Sequence, residues 1–217
     1  DFLNDGYLTD ALINFIALLG WNSKTNDELF SIEDLISQFN INNVQKAGAV
    51  FDIDKLNWMN SQYLKNADVN TILPIAKKIF YDNNCVIDNE SDLVSILEFG
   101  KGRCNTIKEV LQLSSPFFED LIYHVDYLDL LNDINSKKIY SLLIEKINNL
   151  QLINEFEIKE IISSLGNELN IKGKDLFFPI RLAVWGDVHG PDIGLIIKIL
   201  EKDKTLERLN KAFNYGK

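Results

Sequence analysis

Histidine is nearly absent from this chain. His124 and His189 are the two among 217 residues, whereas a site holding two divalent metals needs many imidazole and carboxylate donors. That scarcity bears on the loudest short motif, Gly186-Asp187-Val188-His189-Gly190, whose GDxHG form occurs in binuclear-metal phosphoesterases. Just 27 residues follow Gly190, too few for the missing ligands. A metal-dependent phosphoesterase is therefore a remote alternative, and no metal site is expected. The simpler reading is a polar loop whose glycines bend the chain and whose Gly190-Pro191 pair opens the next helix. Other templates are missing too: there is no G-x-x-x-x-G-K-[ST], no G-x-G-x-x-G after a strand and no G-x-S-x-G elbow. The carboxylate pairs Glu119-Asp120 and Asp129 with Asp133 read as solvated helix faces, and His124 as a hydrogen-bonded packing residue. No catalytic residue is assigned.

Cysteine is scarce as well. Cys85 and Cys104 show no C-x-x-C spacing and read as reduced, small hydrophobes. No run approaches eighteen apolar residues, and the start, DFLNDGYLTDALINF, is acidic, unlike a basic leader. We expect a soluble, cytoplasmic protein without a membrane partner, and a monomer. Because it begins at Asp1 rather than Met, we expect a piece of a longer chain.

What is present is ordinary globular composition, 46% hydrophobic and 25% charged, enough for one large domain or two to three small ones. A net charge of −10 argues against nucleic acid, since phosphate binding is driven by Lys and Arg. The average hides an asymmetry: residues 1–171 carry 13 basic and 26 acidic groups, residues 172–217 carry 9 and 6. An RNA contact is thus expected mainly toward the C-terminal end. Of the 22 basic residues three are arginine, Arg103, Arg181 and Arg208. Arginine's planar fork addresses base edges or phosphates in pairs, which a lysine does not reproduce. Surface charge of no special role is the plainer reading of each.

Caps and apolar periodicity predict helix from end to end, with only 49–52 passing for a strand. Helices are expected over 9–20 behind Thr9, 31–39 behind Ser31, and 52–64 behind Asp52. Others should cover 70–82, 90–99, 106–113 behind Thr106, 116–125 opened by Ser115-Pro116, 136–148, 155–169, 174–186, 191–201 and 204–213. Pro179 should kink its helix or delay its start. Seams appear near 66–68 and 126–135.

Several stretches together resemble the C-terminal half of bacterial glutamyl-tRNA synthetases, of class I. Gly6-Tyr7-Leu8-Thr9-Asp10-Ala11-Leu12 through Leu19-Gly20-Trp21 is similar to the family's GYLPEALLNFLALLGW, with Thr9 in place of proline. Phe30-Ser31-Ile32-Glu33-Asp34-Leu35-Ile36 resembles FSLEELI, and the run from Phe51 and Asp52 through Trp58, Met59 and Asn60 resembles the family's FDxEKLxWLN. Arg103-Cys104-Asn105-Thr106-Ile107-Lys108-Glu109 resembles RCKTLKE, Pro179-Ile180-Arg181-Leu182-Ala183-Val184 resembles PLRVAL, and Glu207-Arg208-Leu209-Asn210-Lys211-Ala212 resembles ERLxKAL. The order is kept over nearly the whole chain.

The resemblance implies an all-α, anticodon-binding region: residues 1–66 as the end of the stem-contact domain, 67–125 and 126–217 as two helical subdomains. It gives Arg103 the third anticodon base, favouring the cytosine of glutamate tRNAs, and Arg181 the middle base. Gly190, Pro191 and Ile193 take the first base, with Lys101, Thr106, Lys108, His189 and Asp192 in support. The partner implied is a glutamate-accepting tRNA, with a glutamine-accepting one left open. The family's HIGH and KMSKS signatures are absent, so the chain is expected to be inactive alone and to need no cofactor, ATP and Mg being handled elsewhere in the parent ligase. A helical protein-interaction domain, which would tolerate the acidity more easily, remains the alternative.

Overall fold

The computed structural model describes residues 2–23, 25, 27–45, 50–85, 87 and 89–216, and among these residues all regular structure is helical. They form eleven α-helices and three single 3-10 turns. The chain divides into two compact units, Asp1–Ser114 and Ser115–Lys217. The seam at 66–68 falls inside the first unit and that at 126–135 inside the second.

The first unit holds α1 (Thr9–Gly20), α2 (Ile32–Gln38), α3 (Ile53–Asn66), α4 (Val69–Asp82), α5 (Glu90–Gly100) and α6 (Ile107–Leu113). Short polar side chains start most of them by accepting orphan N–H groups. Ser31 Oγ accepts from Asp34 N–H at 3.0 Å, and Asp52 Oδ1 from Asp54 and Lys55 N–H at 3.0 and 3.1 Å. Asp52 thus ends the stretch that could pass for a strand; Val50 and Phe51 have no regular structure, and Ala49 lies outside the described residues. Helix α1 departs from expectation, because Thr9 is its first residue rather than its cap, and the capping position, Leu8, offers no side-chain acceptor. Asn60, fully buried on α3, does that job from outside by accepting the Leu8 N–H at 2.8 Å.

Phe15 on α1 closes with Tyr7, Leu56 and Met59 over α3, and Trp21, Phe30 and Leu35 form a second cluster with α2. Each such side chain contributes about 1.5–3 kcal/mol by leaving water. Buried Asn14 joins the two, accepting from Phe30 N–H (2.8 Å) and the Tyr63 hydroxyl (2.5 Å) while donating to Glu28 O (3.1 Å). Helices α4, α5 and α6 pack on one another through buried Ile72, Ile79, Phe80, Leu93, Leu97, Ile107 and Val110.

The second unit holds α7 (Leu128–Asn132), α8 (Ile134–Asn148), α9 (Glu155–Leu169), α10 (Lys174–Trp185) and α11 (Ile193–Phe213). Helix α11 packs on α8, α9 and α10. Helix α10 buries Leu176, Pro179, Ile180, Leu182, Ala183, Val184 and Trp185. Pro179 does not delay it, since α10 begins five residues earlier. The break expected between 201 and 204 is one non-helical residue inside α11, Glu201 at φ 58°, ψ −177°.

The helix expected over 116–125 does not form. After a 3-10 turn at Ser115–Phe117 the chain runs without helix to a second turn at Val125–Tyr127. Helix capping favoured Ser115-Pro116, but the carbonyls that an α-helix would satisfy internally are taken from across the unit. Arg208 donates to Pro116 O and to Glu119 O (3.3 Å), Lys204 to Phe117 O (2.8 Å) and Lys211 to Leu121 O (3.2 Å). His124 N–H goes to Gly186 O at 2.7 Å. Every buried main-chain group needs a partner, and here α11 supplies partners that no local pattern can reveal. No helix among the described residues is long and apolar enough to cross a membrane.

Candidate nucleic-acid interface

In the first unit the sequence's candidate arginine sits on a short turn pinned from several directions. Gly100 ends α5 so tightly against α6 that a Cβ there would collide with Val110. Arg103 and Cys104 N–H both return to Gly100 O, at 2.8 and 3.1 Å. Beyond the turn, the amide of Asn60 donates to Asn105 O, Ile107 N–H donates to Gly6 O at 3.2 Å, and Lys108 Nζ meets Asp5 at 2.7 Å. Lys108 thereby holds the Asp5 carboxyl below the usual carboxylate range. Gly6 sits at φ 81°, and a Cβ on it would lie 2.9 Å from the Ile107 nitrogen, so the approach needs glycine. Thr106 caps α6 from a buried position (Glu109 N–H to Oγ1, 3.2 Å), and Glu109 accepts Asn105 N–H at 2.7 Å.

On this support Arg103 is exposed. Its Nη1 donates to Phe99 O at 2.6 Å and its guanidinium carbon stands 4.5 Å from the Phe99 ring centroid. One face of the fork rests on an aromatic ring and its outer side is open. Lys101 is tied to Ala67 O (3.2 Å) and Glu98 (3.0 Å). Cys104 is buried, which pushes its thiol up to about 11, and both cysteines are free thiols.

In the second unit Arg181 is half-buried and faces inward to its own loop. Its Nε donates to Pro191 O at 3.2 Å and its Nη1 to Val188 O at 2.9 Å, and burial lowers the guanidinium pKa. The loop alternates. Val188, Pro191 and Ile193 are buried, whereas His189, Gly190 and Asp192 are exposed. Gly186, at φ 90°, ends α10, and a Cβ there would strike Ile122 O; Gly190 lies on the Trp185 indole, where a Cβ would come within 2.5 Å of Nε1. Asp187 Oδ1 accepts His189 N–H at 2.8 Å, and Asp192 Oδ1 caps α11 through Gly194 and Leu195 N–H while pairing with Lys159 at 3.3 Å. The GDxHG run is therefore a helix stop followed by an aspartate turn. Among the described residues no group of three or more His, Cys, Asp or Glu could hold a metal.

Several basic side chains of the C-terminal end donate to the protein's own main chain, while Lys172 and Lys174 are exposed. Lys202 donates to Asn148 O and Leu150 O, at 2.8 and 2.7 Å, and Arg208, 4% exposed, donates to Val184 O at 2.6 Å in addition to its contacts at 116 and 119. With Arg181, Lys204 and Lys211 they brace the unit's own main chain. Two contributors escaped the sequence reading: Phe99, four residues before Arg103, and Phe178, which shares a face of α10 with Lys174 and Arg181 at spacings of four and three. A cleft of about 520 Å³ in the first unit, lined in part by Tyr63, Asn66 and Thr71, includes none of the expected site residues.

Comparison with known proteins divides the chain near residue 58, inside the first unit. A family model described as an anticodon binding domain matches residues 58–213, and one described as tRNA synthetases class I (E and Q), catalytic domain, matches residues 1–58. The chain is 39% identical over 219 residues to glutamate–tRNA ligase 1 of Thermoanaerobacter sp. strain X514, covering 96% of this chain and 44% of that protein. It is 34% identical over 223 residues to the glutamate–tRNA ligase of Natranaerobius thermophilus, covering 99% and 45%. A crystal structure of a glutamate tRNA ligase from Elizabethkingia meningosepticum aligns with a TM-score of 0.86 at 29% identity, over 100% of this chain and 43% of that one. The chain thus spans about half the length of the curated relatives it matches.

Proposed function

The chain belongs to the anticodon-binding domain family, and from that premise we propose that it is the part of a cytoplasmic glutamate–tRNA ligase that holds the anticodon of the tRNA. The observation that carries the reading is the family match over 58–213, which contains both arginine elements. In the parent, glutamate, ATP and Mg are handled by residues outside this chain, and the chain acts as a monomer.

Arg103 is the reader of the third anticodon base. Its exposed fork, with Nη1 fixed on Phe99 O, presents its remaining donors in one orientation, as paired contact with a base edge requires. Arg181 offers the middle base what its loop contacts leave of the fork, Nη2. The first base meets the 190–193 segment through its main chain, because the side chains of Pro191 and Ile193 are buried. Lys101, Lys108, His189 and Asp192 support these contacts from the rim, and Thr106 does so by capping α6. The division at 1–66, 67–125 and 126–217 is retained as the functional one, the first part addressing the tRNA stem.

The test is titration of the chain with transcripts of glutamate and glutamine tRNAs, and with glutamate tRNA altered at one anticodon position. Binding that weakens with each anticodon change supports the reading. Equal binding of all transcripts, or glutamate-dependent pyrophosphate exchange by the chain alone, overturns it.

A further inference from the structure

The loop 186–192 expels one aromatic side chain. Val188 on one side of His189 is 1% exposed, and Gly190 on the other lies against the Trp185 indole. With the Val188 side chain turned inward and the Asp187 carboxylate fixing its own N–H, His189 is exposed. The ring is nonetheless placed. Phe178 stands with its centroid 5.9 Å away, the planes 67° apart, in an edge contact that leaves an imidazole face free. Lys174, also exposed, holds its ammonium 5.7 Å from the same Phe178 ring. An unpartnered aromatic face backed by a second ring and flanked by a cation is the composition that stacks one base of a single strand while attracting its phosphate.

We propose that His189 is a stacking platform for one unpaired base of the tRNA anticodon loop, with Phe178 as its positioning residue and Lys174 as the contact to the adjoining phosphate. This rests on the anticodon-binding reading above and adds to it a site that recognises the plane of a base rather than its edge. Such a site strengthens binding without choosing among bases, which complements edge readers such as arginine.

The test uses the whole chain and glutamate-tRNA transcripts carrying the fluorescent base 2-aminopurine at each anticodon position in turn. Binding should quench one of the three. His189→Ala should abolish that quench and weaken binding about tenfold, His189→Phe should restore both, and Phe178→Leu should reduce the quench with little change in helical circular dichroism. Lys174→Ala should leave the quench in place and flatten the salt dependence of binding. If wild type binds with anticodon dependence but no position shows a quench that depends on residue 189, the stacking site is refuted while the functional reading stands. If binding ignores the anticodon altogether, both fall.

Discussion

The two units hold their arginines at different depths. In the first, Arg103 lies outside the core, one face on Phe99, on a turn held by other residues. In the second, Arg208 is 4% exposed and Arg181 half-buried, and their guanidinium groups donate to the main chain of their own unit. An exposed guanidinium can be lost without opening the core, whereas a buried one that donates to distant carbonyls is part of it. Sequence shows the two as the same letter. The comparison is sharpened by substitutions that separate stability from binding.

The largest effect is expected from Arg208→Ala. It strips donors from the buried carbonyl of Val184 and from the part-buried contacts at Pro116 and Glu119, which together should cost about 3 kcal/mol. Denaturant unfolding of the chain should show the second unit lost first. A shift below about 1 kcal/mol would break the contrast, making Arg208 as dispensable to the fold as Arg103. Gly186→Ala comes next. Its left-handed φ of 90° and the approach of Ile122 O leave no room for a methyl group, and a loss of about 2–3 kcal/mol is expected in the same measurement.

Those two residues also mark where the sequence was legible. The helix bounds at 155–169 and the caps at Ser31, Asp52 and Thr106 follow from interactions within four residues, and the structure agrees. The absent helix at 116–125 depends on Lys204, Arg208 and Lys211, some ninety positions away. Asn60 capping α1 and bracing the Arg103 turn is the same kind of long-range partner. The positions of Arg103 and Arg181 came from ordered motifs, but their environments did not. Net charge is the least informative, because an average over the chain says little about one face.

At the interface the prediction is a split. Arg103→Ala should leave unfolding within about 0.5 kcal/mol of wild type, while binding of glutamate tRNA falls by about 1–3 kcal/mol, with the loss confined to tRNAs carrying the preferred third base. Arg181→Ala should lower both, because the 188–191 loop loses two donors along with the base contact proposed for it. If Arg103→Ala weakens every tRNA equally, Arg103 is a backbone clamp. Smaller still is Glu201→Gly, where φ 58° with ψ −177° is a conformation glycine tolerates and other residues resist. It should raise stability by about 1 kcal/mol, unless the side chain has a compensating role that the same unfolding curve would expose as a loss.

The smallest effect is the most diagnostic of what the basic C-terminal end is for. Lys202 follows the α11 kink and donates to Asn148 O and Leu150 O, so it closes the end of α8 with a positive charge placed where the helix dipole favours one. Partly exposed, it should contribute only about 0.5–1 kcal/mol to folding. If bracing is its whole task, Lys202→Ala should lower the melting temperature slightly and leave the slope of log binding constant against log salt unchanged for glutamate tRNA. Were it a phosphate contact, the slope would fall by nearly one unit for every tRNA. Lys174, over Phe178 rather than a carbonyl, supplies the opposite expectation in the same unit, a shallower slope with little change in melting. A flattened slope for Lys202→Ala would return the C-terminal lysines to the RNA and remove the division between bracing and recognising cations.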